Sequence, residues 1–437
     1  MALLAGRIRE SFRMQPTIVK TSQPGEFLAL VPELVGFQPE NSVAMVAFRG
    51  NRTCGALRFT LPEPDGSEKV YKRIATTIVG MVCKIPGVDA VVPVVYTEEG
   101  FADEDVIPRN LFAQTLIQRC ELSGFLVRDA FCVASDGWGS YDTLDTSTGG
   151  RPLSDLALPA GRQGGLDPER TPLGSLTSWA DLPEVGLAAR ERLARVFRRY
   201  QRLAAKADSV PDLFDIVGNL LDPVATAELV PGWNPEALDI PDAAVLLLLV
   251  QSAANRDQMM LQFAFGRKVG AEAFELNARY AALQRATGLS MDEIVLREME
   301  HRESSVADAD ESESATGTAT DVQSEADQRI SDLMMGMTST RPDPDRIEAA
   351  IRVLKAVVSL APRSARPAPL CMLAWLSWAL GRGSVAGIFI DRALEIDAHY
   401  GMARLLDTLL GTGHLPEWAY AVPPDPATYE RTTERPE

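Results

Sequence analysis

Histidine is nearly absent from this sequence of 437 residues, which contains only His301, His399 and His414. None of them has a second histidine or a cysteine at a spacing that could bind a metal ion. The sequence therefore predicts no metal site and no histidine-based acid–base catalysis. Carboxylate chemistry stays open, because Asp and Glu are abundant and their pairing in space does not follow from their spacing.

Cysteine is scarce, since five cysteines are present and none is spaced as Cys-x-x-Cys. They are Cys54, Cys83, Cys120, Cys132 and Cys371. An odd number without metal-type spacing argues against a disulfide framework and against a zinc site. The longest apolar run, 243–250, is far shorter than the roughly 20 residues that span a bilayer, and residues 1–20 do not resemble a secretory signal. We therefore predict a cytoplasmic protein without a membrane span.

Positive charge is in deficit, since the formal net charge is −17 and the pI is near 4.8. Such a field repels nucleic acid and anionic lipid at long range, so neither is predicted as a partner. The run from Arg190 to Lys206 is an exception, because it is rich in arginine. Its apolar residues, among them Leu193, Phe197 and Tyr200, recur at helical spacing. The pattern favours an amphipathic helix with a solvated charged face.

Motifs for cofactor chemistry are also missing. The sequence has neither a Walker-type phosphate loop nor a Gly-x-Ser-x-Gly nucleophile elbow. Residues 381–386 match the glycine pattern of a dinucleotide fold, but that pattern binds pyrophosphate only between a strand and a helix. Here it stands between two predicted helices, which favours a turn. We predict no cofactor, and the sequence leaves open whether the protein is an enzyme.

Residues 20–142 are typical of an α/β domain. Helical and strand periodicities alternate, with an opening helix that Gly36 ends and then the order β-β-α-β-α-β. The predicted strands are 42–48, 53–61, 90–96 and 130–135, and the predicted helices between them are 68–84 and 108–123. This order predicts a mixed sheet with helices packed on it. Pro93, inside the third strand, predicts that this strand lies near an edge or carries a bulge.

The candidate site residues follow two of these strands. Thr97 and Glu98 come after the third strand, and Asp136, Trp138 and Tyr141 come after the fourth. Open α/β sheets bind ligands outside the carboxyl ends of their strands, so these five side chains are predicted to surround a ligand-binding cleft. The alternative is a turn whose two aromatic residues close the core. That alternative is favoured, because aromatic residues near strand ends usually pack inside.

The remainder of the chain is predicted to be helical with interruptions. Residues 143–172 are rich in turn formers and predict a loop, and 173–302 predict short helices around one apolar helix at 243–265. Residues 303–328 hold many carboxylates and no Lys or Arg, so they predict a disordered acidic linker. Residues 329–420 predict helix pairs, and 421–437 predict a flexible tail.

The helix pairs resemble a tetratricopeptide repeat over Leu373–Asp397, where apolar, small and turn residues fall at the positions that this repeat requires. Ala398 stands where the repeat has proline, and at most two units fit. The sequence therefore predicts a short tetratricopeptide-like array. Of its two neighbouring tryptophans, Trp375 is predicted to be interior and Trp378 to lie nearer the rim.

Three sequence blocks resemble a known family, the actinobacterial proteins grouped as domain of unknown function 4192. The first block is 28–43 (LALVPELVGFQPENSV), and the second is Gly137-Trp138 with Tyr141, then 150–153. The third consists of the short segments 368–370, 373–375, 392–394, 403–406 and 415–418. The resemblance runs from about Gln23 to Trp418. It implies a cytoplasmic protein with this domain plan and supplies no activity. Family members often carry two cysteines after the Trp-x-x-Tyr segment, and their absence here excludes a metal or redox site built on them.

Two hypotheses for function follow. The first is a non-enzymatic binding or scaffold protein that uses its helical C-terminal region for protein interaction, because helical arrays present grooves for partners. The alternative is an enzyme or small-ligand-binding protein with a cleft at the strand ends of the α/β domain. Convergence of the five candidate side chains on one concave pocket would favour the alternative.

Overall fold

The structure of the protein is a computed structural model that describes residues 23–102, 106–141, 150–156, 176–206, 221–289, 293, 319–411 and 413–420, with the backbone alone for 176–177 and 319–324. The chain divides into two compact units, one within residues 1–176 and the other within residues 177–437. We call them the N-terminal unit and the helical unit. Among the helices in the described ranges, none has the length and apolar character needed to cross a membrane.

The N-terminal unit contains a mixed sheet with helices packed on it, which confirms the predicted architecture. Its helices and strands are α1 (Pro24–Val35), β1 (Ser42–Arg49), β2 (Arg52–Thr60), α2 (Glu68–Val82), β3 (Ala90–Tyr96), α3 (Asn110–Leu122), β4 (Leu126–Val127), β5 (Phe131–Val133) and β6 (Trp138–Ser140). The strand order is β2-β1-β3-β5-β6, with β4 also beside β3. The β1–β2, β1–β3 and β5–β6 pairs are antiparallel, whereas β3 pairs in parallel with β4 and β5.

Two features of this sheet differ from the sequence-based expectation. Trp138–Ser140 was expected to lie in a loop and instead forms β6, which makes a hairpin with β5 through a turn in which the Ala134 N–H donates to the Gly137 carbonyl (2.8 Å). Strand β4, of two residues, was not expected at all. Strands of two or three residues are too short to show alternation, so tertiary pairing alone defines them.

The prediction that Pro93 marks an edge strand or a bulge is wrong, because β3 lies between β1 and β5 in the sheet. The Val91 carbonyl accepts from the Arg128 N–H (3.1 Å), and the Thr97 N–H donates to the Val133 carbonyl (3.0 Å), so odd-numbered residues of β3 face β4 and β5. Strand β4 pairs only with residues 90 and 91, and β5 only with residues 94–96. The Pro93 nitrogen therefore faces the gap between these strands, where no donor is required.

The two faces of the sheet bury separate cores. One face packs Val43, Met45 and Val95 against α2 and α3, where Ile78 and Leu116 are buried. The other face packs alternate residues of the same strands against α1, whose Leu28 and Val31 are buried. Burial on both faces explains why β1 and β3 are almost continuously apolar.

The helical unit contains helices only, apart from turns and 3₁₀ segments, in the part of the chain that is described. Its helices are α4 (Leu176–Trp179, at the boundary), α5 (Leu187–Ala204), α6 (Pro223–Leu229), α7 (Ile240–Leu249), α8 (Ala253–Phe265), α9 (Arg267–Thr287), α10 (Ala319–Met335), α11 (Pro344–Leu360), α12 (Pro367–Ala379), α13 (Gly383–Leu394), α14 (Gly401–Gly411) and α15 (Glu417–Tyr420). The helix expected over 243–265 is two helices, α7 and α8, because Ser252 is extended (φ −76°, ψ 127°).

A helix begins inside the range that was predicted as an acidic linker. Helix α10 begins at Ala319, so residues 319–328 are helical, while residues 303–318 and the predicted tail at 421–437 lie outside the described residues. Asp327 forms an ion pair with Arg279 of α9, and Ile330 and Leu333 are buried. Residues 319–328 contain no cation, so the counter-ion of Asp327 comes from a helix distant in sequence.

The regions 173–302 and 329–420 were expected to be separate, yet their described residues belong to one compact unit. Helix α8 from the first region packs against α11 and α12 from the second. Every residue of α12 is buried, and α11 buries one broad apolar face. Burying these surfaces together removes more apolar area from water than two smaller cores would.

Trp378 was expected near the rim of the helical array, and this prediction is wrong. Trp375 and Trp378 are 1% and 0% exposed. The Trp375 indole N–H donates to the Met334 carbonyl (2.9 Å), and that of Trp378 donates to the His414 carbonyl (2.8 Å). Trp418 of α15 then packs edge-on against Trp378 at 5.9 Å between ring centroids, so α15 covers the expected rim.

Candidate functional site

A cleft of about 410 Å³ lies in the N-terminal unit at the carboxyl ends of β3 and β5. Residues 38–41 before β1, residues 96–98 at the end of β3 and residues 133–135 at the end of β5 line it. Leu153 and Leu156 line its remaining side. We call it the strand-end cleft, since it occupies the position that the parallel pairing of β3 and β5 predicts for a ligand.

Thr97 and Glu98, two of the five candidates, line the strand-end cleft. Thr97 is buried, and its hydroxyl accepts from the Glu99 N–H (3.2 Å). Glu98 is exposed and bonds reciprocally with Asn41, since Asn41 Nδ2 donates to Glu98 Oε1 (2.8 Å) and the Glu98 N–H donates to Asn41 Oδ1 (3.3 Å). This pair fixes the loop after β3 to the residue that precedes β1.

Asp136 does not line the cleft and instead holds two loops together. Its carboxylate accepts from the N–H groups of Phe101 (2.8 Å) and Ala102 (3.0 Å). These two hydrogen bonds lower the pKa of the Asp136 carboxyl below its ordinary value. The turn between β5 and β6 is thereby tied to the loop after β3, which positions one wall of the cleft.

The two aromatic candidates are core residues on opposite faces of the sheet. Trp138 packs on the α1 side, edge-on against Phe131 with 6.3 Å between ring centroids. Tyr141 packs on the α2 and α3 side and donates its hydroxyl proton to the Pro108 carbonyl (2.6 Å), while burial raises the pKa of this hydroxyl. The structure therefore brings only Thr97 and Glu98 together at the cleft.

A row of buried polar groups lies next to the cleft, and the sequence did not predict it. Ser42 of β1 lies opposite Tyr96 of β3, Tyr96 lies opposite Val133 of β5, and Val133 lies opposite Trp138 of β6. Residues paired in register direct their side chains to the same face of a sheet. We call Ser42, Tyr96 and Trp138 the polar row.

All members of the polar row are buried, with exposures of 0%, 4% and 3%. The Ser42 Oγ, the Tyr96 hydroxyl and the Trp138 Nε1 have no hydrogen-bond partner among the residues that the structure describes. An unsatisfied buried polar group costs about 1–3 kcal/mol, so three neighbouring ones need an explanation. Tyr96 also lines the strand-end cleft, which places a ligand within reach of the row.

The charge around the cleft disfavours an anion. Glu40 and Glu98 are exposed at its rim, and its described lining contains neither Lys nor Arg. Burial raises the pKa of the Tyr96 hydroxyl, which therefore stays a neutral donor. The described lining also contains no His and no Cys, and the described residues contain no group of three or more side chains that could hold a metal ion.

The cover of the cleft is a 3₁₀ turn, Leu153–Asp155, anchored to β6 and α1. Arg151 exchanges backbone hydrogen bonds with Trp138 (2.9 and 2.7 Å), and its guanidinium lies 5.0 Å from the centroid of the indole. At Gly25, in the first turn of α1, an added Cβ would come within 2.6 Å of the Asp155 carbonyl oxygen. The close approach of α1 to this turn therefore requires glycine.

A second cavity, of about 500 Å³, lies in the helical unit among α8, α10 and α11. Arg346 in its wall pairs with both carboxylate oxygens of Glu228 (3.0 and 3.1 Å), and Arg329 pairs with Glu272. The hydrogen bond from Arg346 lowers the pKa of Glu228. Because carboxylates already neutralise these two arginines, this cavity is a weaker candidate than the strand-end cleft.

Comparison with family models gives a match over most of the chain. A family model, described as a domain of unknown function, matches residues 24–417 and so extends over both units. A search of curated proteins and a search of solved structures each found no match. The actinobacterial source that the resemblance implied stays a prediction. Since the match covers most of the sequence, the chain belongs to the family of proteins with the domain of unknown function DUF4192.

Proposed function

We propose that this protein binds a small molecule in the strand-end cleft without transforming it chemically. The observation that supports the proposal is the Tyr96 hydroxyl, which is buried at the cleft and has no partner in the described part of the chain. A ligand with a hydrogen-bond acceptor would satisfy it and recover the free energy that burial costs. Binding without chemistry is the simpler proposal, because Ser135 in the cleft has no described histidine beside it to act as a base.

The lining defines the class of ligand. Leu153, Leu156 and Val133 offer an apolar surface, and the rim carboxylates of Glu40 and Glu98 favour a neutral or cationic group over an anionic one. The expected ligand therefore has an apolar body and a neutral or cationic polar group. A cleft of about 410 Å³ lies within the range of small-molecule sites.

A matched series of probes tests this class, since benzamide, benzylamine and benzoate share a ring and differ in the charge of the polar group. Ligand-observed NMR should detect contact of the protein with benzamide and benzylamine, and weaker contact with benzoate. Fragments of this size bind in roughly the millimolar range even in good sites. Absence of contact with all three probes, or preference for benzoate, would contradict the proposed class.

Two variants locate the binding. Ser135→Trp should abolish the probe signals, because residue 135 is exposed and lines the cleft. Gln118→Trp should leave them unchanged, because residue 118 is an exposed position on α3 and does not line the cleft. Signals that persist in Ser135→Trp would show that the probes bind elsewhere and would refute this site.

A second candidate function is protein binding by the helical unit. Helix α12 packs against α13 and α14, and α13 packs against α14. This succession supports a tetratricopeptide-like arrangement over Leu373–Asp397, in which neighbouring helices pack in sequence order. The turn at Gly381, with φ of 78°, lies where such a unit joins its two helices.

The groove that such an array usually offers to a partner is occupied. Every residue of α12 is buried, and α8 and α11 pack against this helix. A protein partner would therefore bind another surface of the helical unit. We also propose the cytoplasmic location that the sequence predicts. The five cysteines support it, because all of them are free thiols, as is usual for proteins of a reducing compartment.

A further inference from the structure

Helix α5 carries a continuous ridge of arginines on its exposed side. Arg192, Arg195, Arg199 and Arg202 follow one another at spacings of three or four residues, so they lie along one face of the helix. All four are exposed, while Leu193, Phe197 and Tyr200 of the same helix are buried. We call these four residues the arginine ridge, and at 1.5 Å per residue it is about 15 Å long.

The arginine ridge has no counter-ion among the residues that the structure describes. Within the described ranges, none of its guanidinium groups forms an ion pair with a carboxylate, although the whole chain has a net charge of −17. Like charges three or four residues apart destabilise a helix. Hydrophobic packing of the opposite face compensates for this repulsion, and an anionic partner would remove it.

An apolar groove adjoins the Arg192 and Arg195 end of the ridge. A depression of about 600 Å³ is lined by Val196 of α5 and by Leu238, Ile240 and Pro241 at the start of α7, next to Arg192 and Arg195. The carboxylate of Asp239, also in this wall, accepts from the Asp242 N–H (3.1 Å) and so caps α7. Apolar surface and positive charge therefore lie side by side.

We infer that this surface of α5 binds an acidic amphipathic helix of a partner protein. The apolar side chains of the helix occupy the groove, and its carboxylates pair with the arginine ridge. This inference rests on the second proposed function, protein binding by the helical unit, and names the chemistry of the partner. The ridge matches about three turns of a partner helix in length.

Nucleic acid fits this surface less well than an acidic helix does. A phosphate backbone has no apolar group to place against Leu238 and Ile240, and the overall charge of −17 repels a polyanion at long range. An amphipathic helix uses both parts of the surface. The groove is the feature that distinguishes the two partners.

Fluorescence anisotropy with a synthetic peptide tests the inference on the full chain. The probe is a labelled peptide of about 15 residues with leucine at helical spacing and glutamate elsewhere. It should bind the wild-type protein at about 50 mM salt and bind more weakly as salt rises. A peptide of the same composition with scrambled order, and a labelled single-stranded DNA of similar length, should bind at least about tenfold more weakly.

The variants are chosen to isolate the ridge. The double variant Arg195→Glu with Arg199→Glu should bind the peptide at least about tenfold more weakly than the wild-type protein does. Arg285→Glu should have no effect, because Arg285 is also an exposed helical arginine whose Nε donates to a carbonyl four residues earlier, and it lies on α9. If charge reversal unfolds α5, the double variant Arg195→Gln with Arg199→Gln replaces it in this test, because glutamine keeps the helix propensity and removes the charge.

The outcomes separate the inference from the function on which it rests. Binding that survives both ridge variants would refute the ridge and leave protein binding by the helical unit standing. Equal binding of the scrambled peptide or of DNA would mean a general polyanion surface and would overturn the inferred partner. If the wild-type protein binds no peptide, the inference fails, and the second proposed function loses its only defined surface.

Discussion

Replacing Tyr96 by phenylalanine should stabilise the ligand-free protein. The Tyr96 side chain is 4% exposed, and its hydroxyl has no partner among the described residues, so the folded state carries the desolvation cost of this group without a compensating hydrogen bond. That cost is about 1–3 kcal/mol. Phenylalanine keeps the ring and its packing, so the free energy of unfolding should rise by about 1–2 kcal/mol.

The matched control is Tyr71→Phe, for which the opposite sign is expected. Tyr71 is 3% exposed, and its hydroxyl lies 2.8 Å from the Glu63 carbonyl and 2.6 Å from the Pro64 carbonyl. Tyr71→Phe removes the donor of this hydrogen bond and leaves the carbonyls without it, so the free energy of unfolding should fall by about 0.5–1.5 kcal/mol. The two variants delete the same atom from the same unit, so their difference isolates hydrogen bonding.

Native-state hydrogen exchange is the suitable assay, because a chain with two units need not unfold in one step. The slowest amides of β1 and β3 report the free energy of opening of the N-terminal unit alone. A change of 1 kcal/mol should also move the thermal midpoint of this unit by roughly 3 °C. If Tyr96→Phe destabilises the unit as Tyr71→Phe does, the Tyr96 hydroxyl has a partner such as a buried water, and the argument for a ligand beside it fails.

Three further predictions test the geometry around the cleft and in the helical core. An NMR titration should find the Asp136 pKa below the ordinary value of about 4. A carboxyl whose pKa is depressed in the folded state stabilises the protein above its unfolded-state pKa, and this stability is lost as the pH falls through its folded-state pKa. Asp136→Asn should therefore weaken the acid dependence of unfolding below about pH 4. Gly25→Ala should push the Asp155 carbonyl away and lower the free energy of unfolding by about 1–3 kcal/mol. It should also weaken the binding of benzamide, measured by NMR. An unchanged affinity for benzamide would mean that the 3₁₀ turn does not shape the cleft. Trp375→Ala and Trp378→Ala should each cost about 3–5 kcal/mol in urea unfolding, and a small loss for Trp378 alone would contradict its burial.

Much of the candidate site was beyond sequence reasoning, and the polar row shows why. The strand-end rule identified Thr97 and Glu98, because it needs only the position where an apolar strand ends. Ser42 and Tyr96 were missed, because their proximity depends on the register between β1 and β3, which are separated by a hairpin and a helix. A tyrosine that ends an otherwise aliphatic strand was the only local signal.

The sequence by itself determined the local elements of this protein. A continuous apolar run placed β3 at residues 90–96, and Gly36, with φ of 88°, ended α1 at the expected residue. Both features depend on interactions among near neighbours in the chain. Side-chain periodicity and the conformational freedom of glycine act over a few residues, so they can be recognised without knowing the fold.

The tertiary structure decided what depends on neighbours distant in sequence. Pro93 lies in a central strand because the gap between β4 and β5 falls opposite its nitrogen. Residues 319–328 are helical, and Asp327 finds its counter-ion on α9. Trp378 is buried because Trp418, 40 positions later, covers it. In each case the residue or strand that determines the structure belongs to another helix or strand. Local propensity does not determine the structure where packing and charge pairing contribute more free energy than propensity does.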